Sequence, residues 1–209
     1  VQADGNGEVS LIEMVQRDFG SACRLCHRID RNTGGIVLLA RSVETERLLT
    51  EAFKSHRIQK YYYCIADGRV PSTGADREQV LTAWHFKDTK KSLVYIYDEK
   101  RPGAREIKTG YRVLKYDAEK NASHLLVRLY TGRTHQIRAH LAHIGHPLIG
   151  DGKYGTPDVK ERYGLKYQAL WSSRMELDFP LDFFRPEGFS HAQKNEAGFP
   201  TFTDPPRFV

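Results

Sequence analysis

No apolar run in this sequence is long enough to cross a bilayer, and the opening VQADGNGEVS has neither the basic nor the apolar region of a secretory signal. No membrane association is expected. The cytoplasm is the default compartment, with an organelle left open should a targeting segment have been trimmed ahead of Val1. Cysteine is scarce. Cys23, Cys26 and Cys64 are an odd set of three, which argues against a disulfide scaffold and fits a reducing compartment. Neither G-x-x-x-x-G-K-[ST] nor G-x-G-x-x-G occurs, so no nucleotide cofactor is expected, and H-E-x-x-H is missing as well. There is no internal repeat and no low-complexity tract.

What remains is an ordinary folding composition: 40% hydrophobic, 28% charged and 11% aromatic residues in a chain of 209. That length supports one substantial core, so a single domain over 1–209, acting as a monomer, is the expectation. Lys and Arg number 32 against 26 Asp and Glu, and the net +6 favours a polyanionic partner without choosing among nucleic acid, anionic lipid and acidic protein.

Periodicity and caps outline the elements. Ser10 and Glu13 form an S-x-x-E capping box ahead of a short helix with Leu11, Met14, Val15 and Phe19 on its apolar face and Gly20 as its stop. The run Ile36–Ala40 reads as a buried strand, and Leu48, Leu49, Ala52 and Phe53 repeat at helical spacing behind a Ser42 cap. Tyr61–Ala66 reads as a strand. Residues 67–105 read as an exposed excursion with one strand at Ser92–Tyr97. Tyr111–Tyr116 and His124–Tyr130 suggest an antiparallel pair, followed by a helix from Thr134 to Ile144 capped by Thr134 and stopped by Gly145. A last strand is expected at Arg174–Phe179. The tail beyond reads as irregular, packed through Phe189, Phe199 and Phe202.

Three motifs invite chemistry. Cys23-Arg24-Leu25-Cys26-His27 has the C-x-x-C-H spacing of haem attachment, but an α/β chain without an export signal is the wrong context, and ordinary small residues are the plainer reading. His140 and His143, three apart on a helix with Asp151 following, suggest a metal-dependent hydrolase. Arg133 and Arg138 would then set positive charge beside a cation, and they suit an anionic substrate better. In His27-Arg28-Ile29-Asp30-Arg31-Asn32-Thr33-Gly34-Gly35 one carboxylate lies between two arginines ahead of an apolar strand. The bland reading is a surface ion cluster on a glycine turn. The functional one is a carboxylate stabilised as its anion and held by a rigid strand.

HRIDRNTGGIVLLAR resembles the signature of the RluA-type family of pseudouridine synthases, H-R-L-D-x-x-T-S-G before an apolar strand. Lys60-Tyr61-Tyr62 is similar to that family's K-x-Y, and Thr109-Gly110-Tyr111-Arg112-Val113 to its T-x-Y-x-V. Residues 129–141, LYTGRTHQIRAHL, are similar to its T-G-R-x-H-Q-I-R-x-H-L block, and the segment from Gly145 to Gly155 to its G-H-P-I-x-G-D-x-x-Y-G. The resemblance implies an α/β (α+β) catalytic domain with a central mixed, largely antiparallel sheet flanked by helices. It implies isomerisation of uridine to pseudouridine in ribosomal or transfer RNA without metal or cofactor. Carried over, Asp30 is the essential carboxylate, Tyr62 stacks on the uracil and helps remove the C5 proton, and Arg138 pairs with Asp30. Arg28 supports the flipped nucleotide, Arg133 meets the anionic substrate, and Asn32, Thr33 and His135 orient the base. Lys100 and Arg101, in the basic excursion, are weaker candidates for the RNA backbone. A non-catalytic RNA-binding module of the same fold is the main alternative.

Departures from the pattern are local. Gly34 stands where the family has Ser, Trp171 stands for His in a Q-x-L-H-A segment, and the K-P-x-G strand and S4-like domain that usually come first are missing ahead of Ser10.

Overall fold

The computed structural model describes residues 9–74, 77–179, 192–194 and 200–203. In chain order these form α1 (Leu11–Phe19), β1 (Arg24–Leu25), β2 (Gly34–Gly35), β3 (Leu39–Ala40), α2 (Val43–Lys54), β4 (Ile58–Asp67), β5 (Gln79–Asp88), β6 (Leu93–Tyr97), β7 (Arg105–Asp117), β8 (Ala122–Leu129), α3 (Gln136–His143), α4 (Pro157–Tyr163), β9 (Leu170–Leu177), β10 (Ala192–Lys194) and β11 (Pro200–Thr203). They group into two compact units. Residues 9–31, 36–58, 175–179, 192–194 and 200–203 make the smaller one, and 32–35, 59–74 and 77–174 the larger.

In the smaller unit α1 begins with the expected capping box. Ser10 Oγ accepts from the Glu13 N–H at 3.3 Å, Glu13 Oε2 accepts from the Ser10 N–H at 2.6 Å, and Gly20, at φ 96°, stops the helix. Its apolar face is only partly covered, and Met14 and Phe19 are exposed. Ser42 caps α2 through the Thr45 N–H, and Leu49 and Ala52 turn inward to Cys26, Leu38, Ala40, Ile58, Met175 and Leu177. The strand expected at Ile36–Ala40 is broken. Gly34–Gly35 pairs with one neighbour and Leu39–Ala40 with another, because Gly35, at φ 98°, turns the chain between them.

The larger unit is a sheet in the order β9-β4-β8-β7-β5-β6, with the β4–β8, β8–β7, β7–β5 and β5–β6 pairs antiparallel and β2 parallel to β9. The expected mixed, largely antiparallel sheet is thus present. On one face Tyr62, Cys64, Tyr111, Leu125 and Val127 pack under Ile137 and Leu141 of α3. Each fully buried Leu or Val there contributes roughly 1.5–3 kcal/mol. A second cluster joins Val159 of α4 to Ile149 and Ala169.

Several sequence expectations shift. The excursion contains a long strand, β5, that runs between β6 and β7. Its fully buried inward residues, Ala83 and His85, are small or polar and only Leu81 beside them is a large hydrophobe, so the alternation does not register as apolar. α3 starts one residue later than expected: His135, at φ 51°, is its N-cap, and neither it nor Thr134 supplies a side-chain cap. The strand expected at Arg174–Phe179 runs instead from Leu170, α4 goes unsignalled, and the tail carries β10 and β11. The packing expected of Phe189, Phe199 and Phe202 concerns side chains outside the described residues.

Candidate active site

Of the candidate catalytic and RNA-contacting residues, Arg28 and Asp30 belong to the smaller unit and Asn32, Thr33, Tyr62, Lys100, Arg101, Arg133, His135 and Arg138 to the larger. The segment leading to Asp30 is pinned at His27, whose Nε2 accepts the Leu38 N–H at 2.8 Å and whose ring packs 4.6 Å from Phe53. Arg28 and Arg31 are exposed, and Asp30 is half-buried.

Beyond Asp30 the chain turns through Asn32, an exposed residue at φ 63°, a left-handed conformation that Asn tolerates better than most side chains. Thr33 is buried, and its Oγ accepts from Gln168 Nε2 at 3.3 Å. That hydroxyl therefore anchors the turn. Gly34 and Gly35 lie in register with Trp171 and Ser172. A Cβ at Gly34 would sit 2.5 Å from Trp171 Cε3, and one at Gly35 would collide with the Ser172 backbone. The two departures from the family pattern, Gly34 and Trp171, are thus in contact: the larger ring takes the space a side chain at 34 would need.

A test follows. Gly34→Ser alone should destabilise the fold by about 1–3 kcal/mol through overpacking, whereas Gly34→Ser combined with Trp171→His should recover most of that loss. Additive effects in a thermal double-mutant cycle would show that the two positions do not trade volume.

Tyr62 lies on the α3 side of β4 and is only 5% exposed. Lys60, two residues earlier on the same face, has its ammonium over Gly132, and burial lowers its pKa. The Thr131–His135 loop is braced by buried Gln136. Its Oε1 accepts from the Arg133 N–H at 3.0 Å and the Thr131 hydroxyl at 2.9 Å, while its Nε2 donates to Thr109 Oγ1 at 3.0 Å. Arg133 is exposed beside it. His135 Nδ1 meets the Tyr154 hydroxyl at 2.8 Å, and that oxygen also accepts the Val94 N–H at 3.0 Å.

Arg138 is clamped by Asp151. Nε donates to Oδ2 at 2.7 Å and Nη2 to Oδ1 at 2.8 Å, with the Tyr154 ring 5.3 Å from the guanidinium. Asp151 is fully buried. Burial alone would raise its pKa, but the hydrogen bonds and charge of Arg138, with the Lys153 and Tyr154 amides, hold it below the usual carboxylate range. Sequence reading assigned no role to Tyr154 or Gln136 and met Asp151 only beside His140 and His143 in the metal reading, although all three lie inside the quoted motifs.

His140 and His143 do not converge. His140 Nδ1 meets Thr109 Oγ1 at 3.0 Å and His143 Nε2 meets Asp98 at 2.8 Å; among the described residues no three His, Cys, Asp or Glu side chains are grouped to hold a metal. Cys23, Cys26 and Cys64 are buried and unbridged. Burial, with Glu46 nearby, pushes the Cys26 thiol up to about 11, and burial pushes Cys64 up too, as expected of ordinary small core residues. Lys100 and Arg101 are exposed in the turn after β6.

Residues 6–143 match the family described as RNA pseudouridylate synthase. The chain is 36% identical over 168 residues to ribosomal large subunit pseudouridine synthase D of Haemophilus ducreyi, covering 76% of this chain and 49% of the relative. It is 30% identical over 192 residues to tRNA pseudouridine synthase C of Yersinia pestis, covering 85% and 72%. The chain spans about half the length of the large-subunit relatives it matches. The solved structure of human RNA Pseudouridylate Synthase Domain Containing 1 superposes with a TM-score of 0.68 at 21% identity, over 95% of this chain and 81% of that one, which establishes a shared fold.

Proposed function

Because this chain belongs to the RNA pseudouridylate synthase family, we propose that it isomerises uridine to pseudouridine in ribosomal or transfer RNA, with Asp30 as the catalytic carboxylate. The observation that carries this reading is that the span matched to the family, residues 6–143, contains Asp30, Tyr62, Arg133, His135 and Arg138. The N1 glycosidic bond of the uridine breaks, the uracil turns, C5 bonds to the sugar, and the C5 proton leaves while N1 gains one. A stacked uridine is out of reach of this chemistry, so the nucleotide is extruded from its helix or loop.

In this scheme Asp30 attacks the nucleotide or stabilises the sugar cation, and Tyr62 covers the unstacked base and takes part in the C5 proton step. Arg28 and Arg133 meet the backbone, and Asn32 and His135 orient the base. The turn anchored by Thr33, Gly34 and Gly35 limits the freedom of Asp30, three residues upstream. Arg138 acts from its clamp on Asp151. No metal and no cofactor enter the scheme. Strands β4 and β9 carry residues of both units, which supports reading them as one catalytic domain; action as a monomer in the cytoplasm is proposed with it.

The test is release of tritium from C5-labelled ribosomal and transfer RNA, with pseudouridine identified in the product; protein that releases none from either would overturn the proposal. Tyr62→Phe keeps the ring and loses only the hydroxyl. It should bind RNA nearly as wild type and release C5 tritium about a hundredfold or more slowly. Full activity would restrict Tyr62 to stacking.

A further inference from the structure

The sheet of the larger unit has a second face, turned away from Tyr62 and α3, on which rings and cations alternate. Arg101 lies 4.2 Å over Tyr97 and Lys100 5.6 Å over Trp84, and Lys108 and Arg128 lie 4.7 and 4.6 Å from Tyr130. Trp84 and Tyr97 are cross-strand partners, Arg128 is opposite Gly110, and Tyr130 follows β8 beside Lys108, so the tract crosses β6, β5, β7 and β8. Lys100, Arg101 and Lys108 are exposed, and the rings beneath them are half-buried. Glu78 receives the Tyr130 hydroxyl and Glu106 lies in register with Trp84, so two carboxylates accompany four cations.

A cation held on a ring face keeps its remaining N–H donors for a second partner; Arg128 already gives Nε to Gln59 Oε1 at 3.1 Å and Nη1 to the Tyr130 hydroxyl at 3.3 Å, and offers what is left. Fixing four cations in a row gives a set of anion contacts with little side-chain entropy left to lose. An uncharged protein surface would leave these cations buried and unpaired. A lipid surface would need rings that protrude, whereas these lie under their cations. A single RNA strand supplies a phosphate at every nucleotide and bases that stack where rings are open.

The same strands are tied on their inner side to the loop of Arg133 and His135. His85 Nε2 meets the Thr134 carbonyl at 2.9 Å, Tyr154 bridges Val94 to His135, and Lys153 Nζ donates to the Ser92 carbonyl at 2.8 Å. β6 is the edge strand, so a strand of RNA rounding it would pass from one face to the other.

We propose that this face is a second RNA-binding tract, in which Arg101, Lys100, Lys108 and Arg128, pre-set by Tyr97, Trp84 and Tyr130, hold the backbone of unpaired RNA flanking the target uridine. The tract deepens the proposed activity and rests on it for its choice of partner.

Fluorescence anisotropy with labelled poly(U) at several salt concentrations tests it. Arg101→Ala and Lys108→Ala should each weaken binding roughly three- to tenfold and lower the salt slope by about one. Tyr97→Leu, folded by circular dichroism, should reproduce the Arg101→Ala loss, add nothing to it in the double variant, and contrast with Tyr97→Phe, which should bind as wild type.

Unchanged affinity and slope in Arg101→Ala and Lys108→Ala would overturn the tract, as would binding to phosphatidylserine vesicles in place of poly(U). Tritium release by wild type, run in parallel, separates the two readings. Release with normal poly(U) binding by the variants sinks the tract alone. No release together with the predicted binding losses sinks the isomerase reading alone, and neither binding nor release sinks both.

Discussion

Asp30→Asn is expected to fold and to bind RNA, yet to release C5 tritium more than roughly a thousandfold more slowly than wild type, equivalent to about 4 kcal/mol of transition-state stabilisation. The exchange preserves size and removes only charge. Asp30 is half-buried, on a segment pinned upstream by His27 and downstream by Thr33, so an isosteric side chain should leave those anchors in place. Both routes open to this carboxylate, attack on the nucleotide or support of a sugar cation with proton abstraction, need the anion. The assay is single-turnover at saturating enzyme, with circular dichroism and RNA binding as controls. Activity of well-folded D30N within about tenfold of wild type would remove Asp30 from the catalytic role.

The second large effect is on stability. Asp151→Asn leaves the Arg138 guanidinium, 7% exposed, without its buried counter-charge, and should cost about 3–5 kcal/mol. For a chain of this size that lowers the melting temperature by on the order of 10 °C. Replacing both partners, as in Arg138→Met with Asp151→Leu, should recover much of the stability while leaving the protein inactive, which separates folding from function. Equal stability of D151N and wild type would mean that the clamp carries no net energy.

The pH dependence has two parts with the same sign. The pKa of Asp151 is depressed in the folded protein, so its contribution is complete above the ordinary carboxylate value and is lost as pH falls through the depressed one. His140 is buried, and burial, with His143 nearby, lowers its pKa from 6.5 to about 4. The unfolded chain therefore takes up that proton first, and stability starts to fall below about pH 6.5, before the carboxylates titrate. A melting profile flat from pH 7 to pH 4 would contradict the buried, neutral state of His140.

Which parts of this were legible in the sequence follows from how far each kind of information reaches. The caps at Ser10 and Ser42 are local, complete within four residues, and the structure keeps both. Strand β4 announced itself through aromatic and β-branched residues, and the β7–β8 pair through alternation on both sides of a polar turn. β5 did not, because its buried positions are Ala83 and His85, and position in the sheet, not hydropathy, makes them inward-facing. The ordered motifs from His27 to Gly155 were enough to name the family and to single out Asp30 and Tyr62.

Partnership was a different matter. Nothing in the sequence marked Asp151 as a partner of Arg138. The structure clamps it to Asp151, thirteen residues on, because the turn after α3 returns the chain to the helix and backbone amides complete the buried site. Likewise Gly34 and Trp171, read separately as two small departures, are 137 positions apart and become one feature only when β2 lies beside β9. Sequence alone determined the family and where α1 and α2 begin, since ordered motifs and caps are each complete within a short stretch of chain. Only the tertiary structure decided which charges neutralise each other, which side chains exchange volume and which face of the sheet gathers the cations, because each of these depends on strand register between segments far apart in the chain.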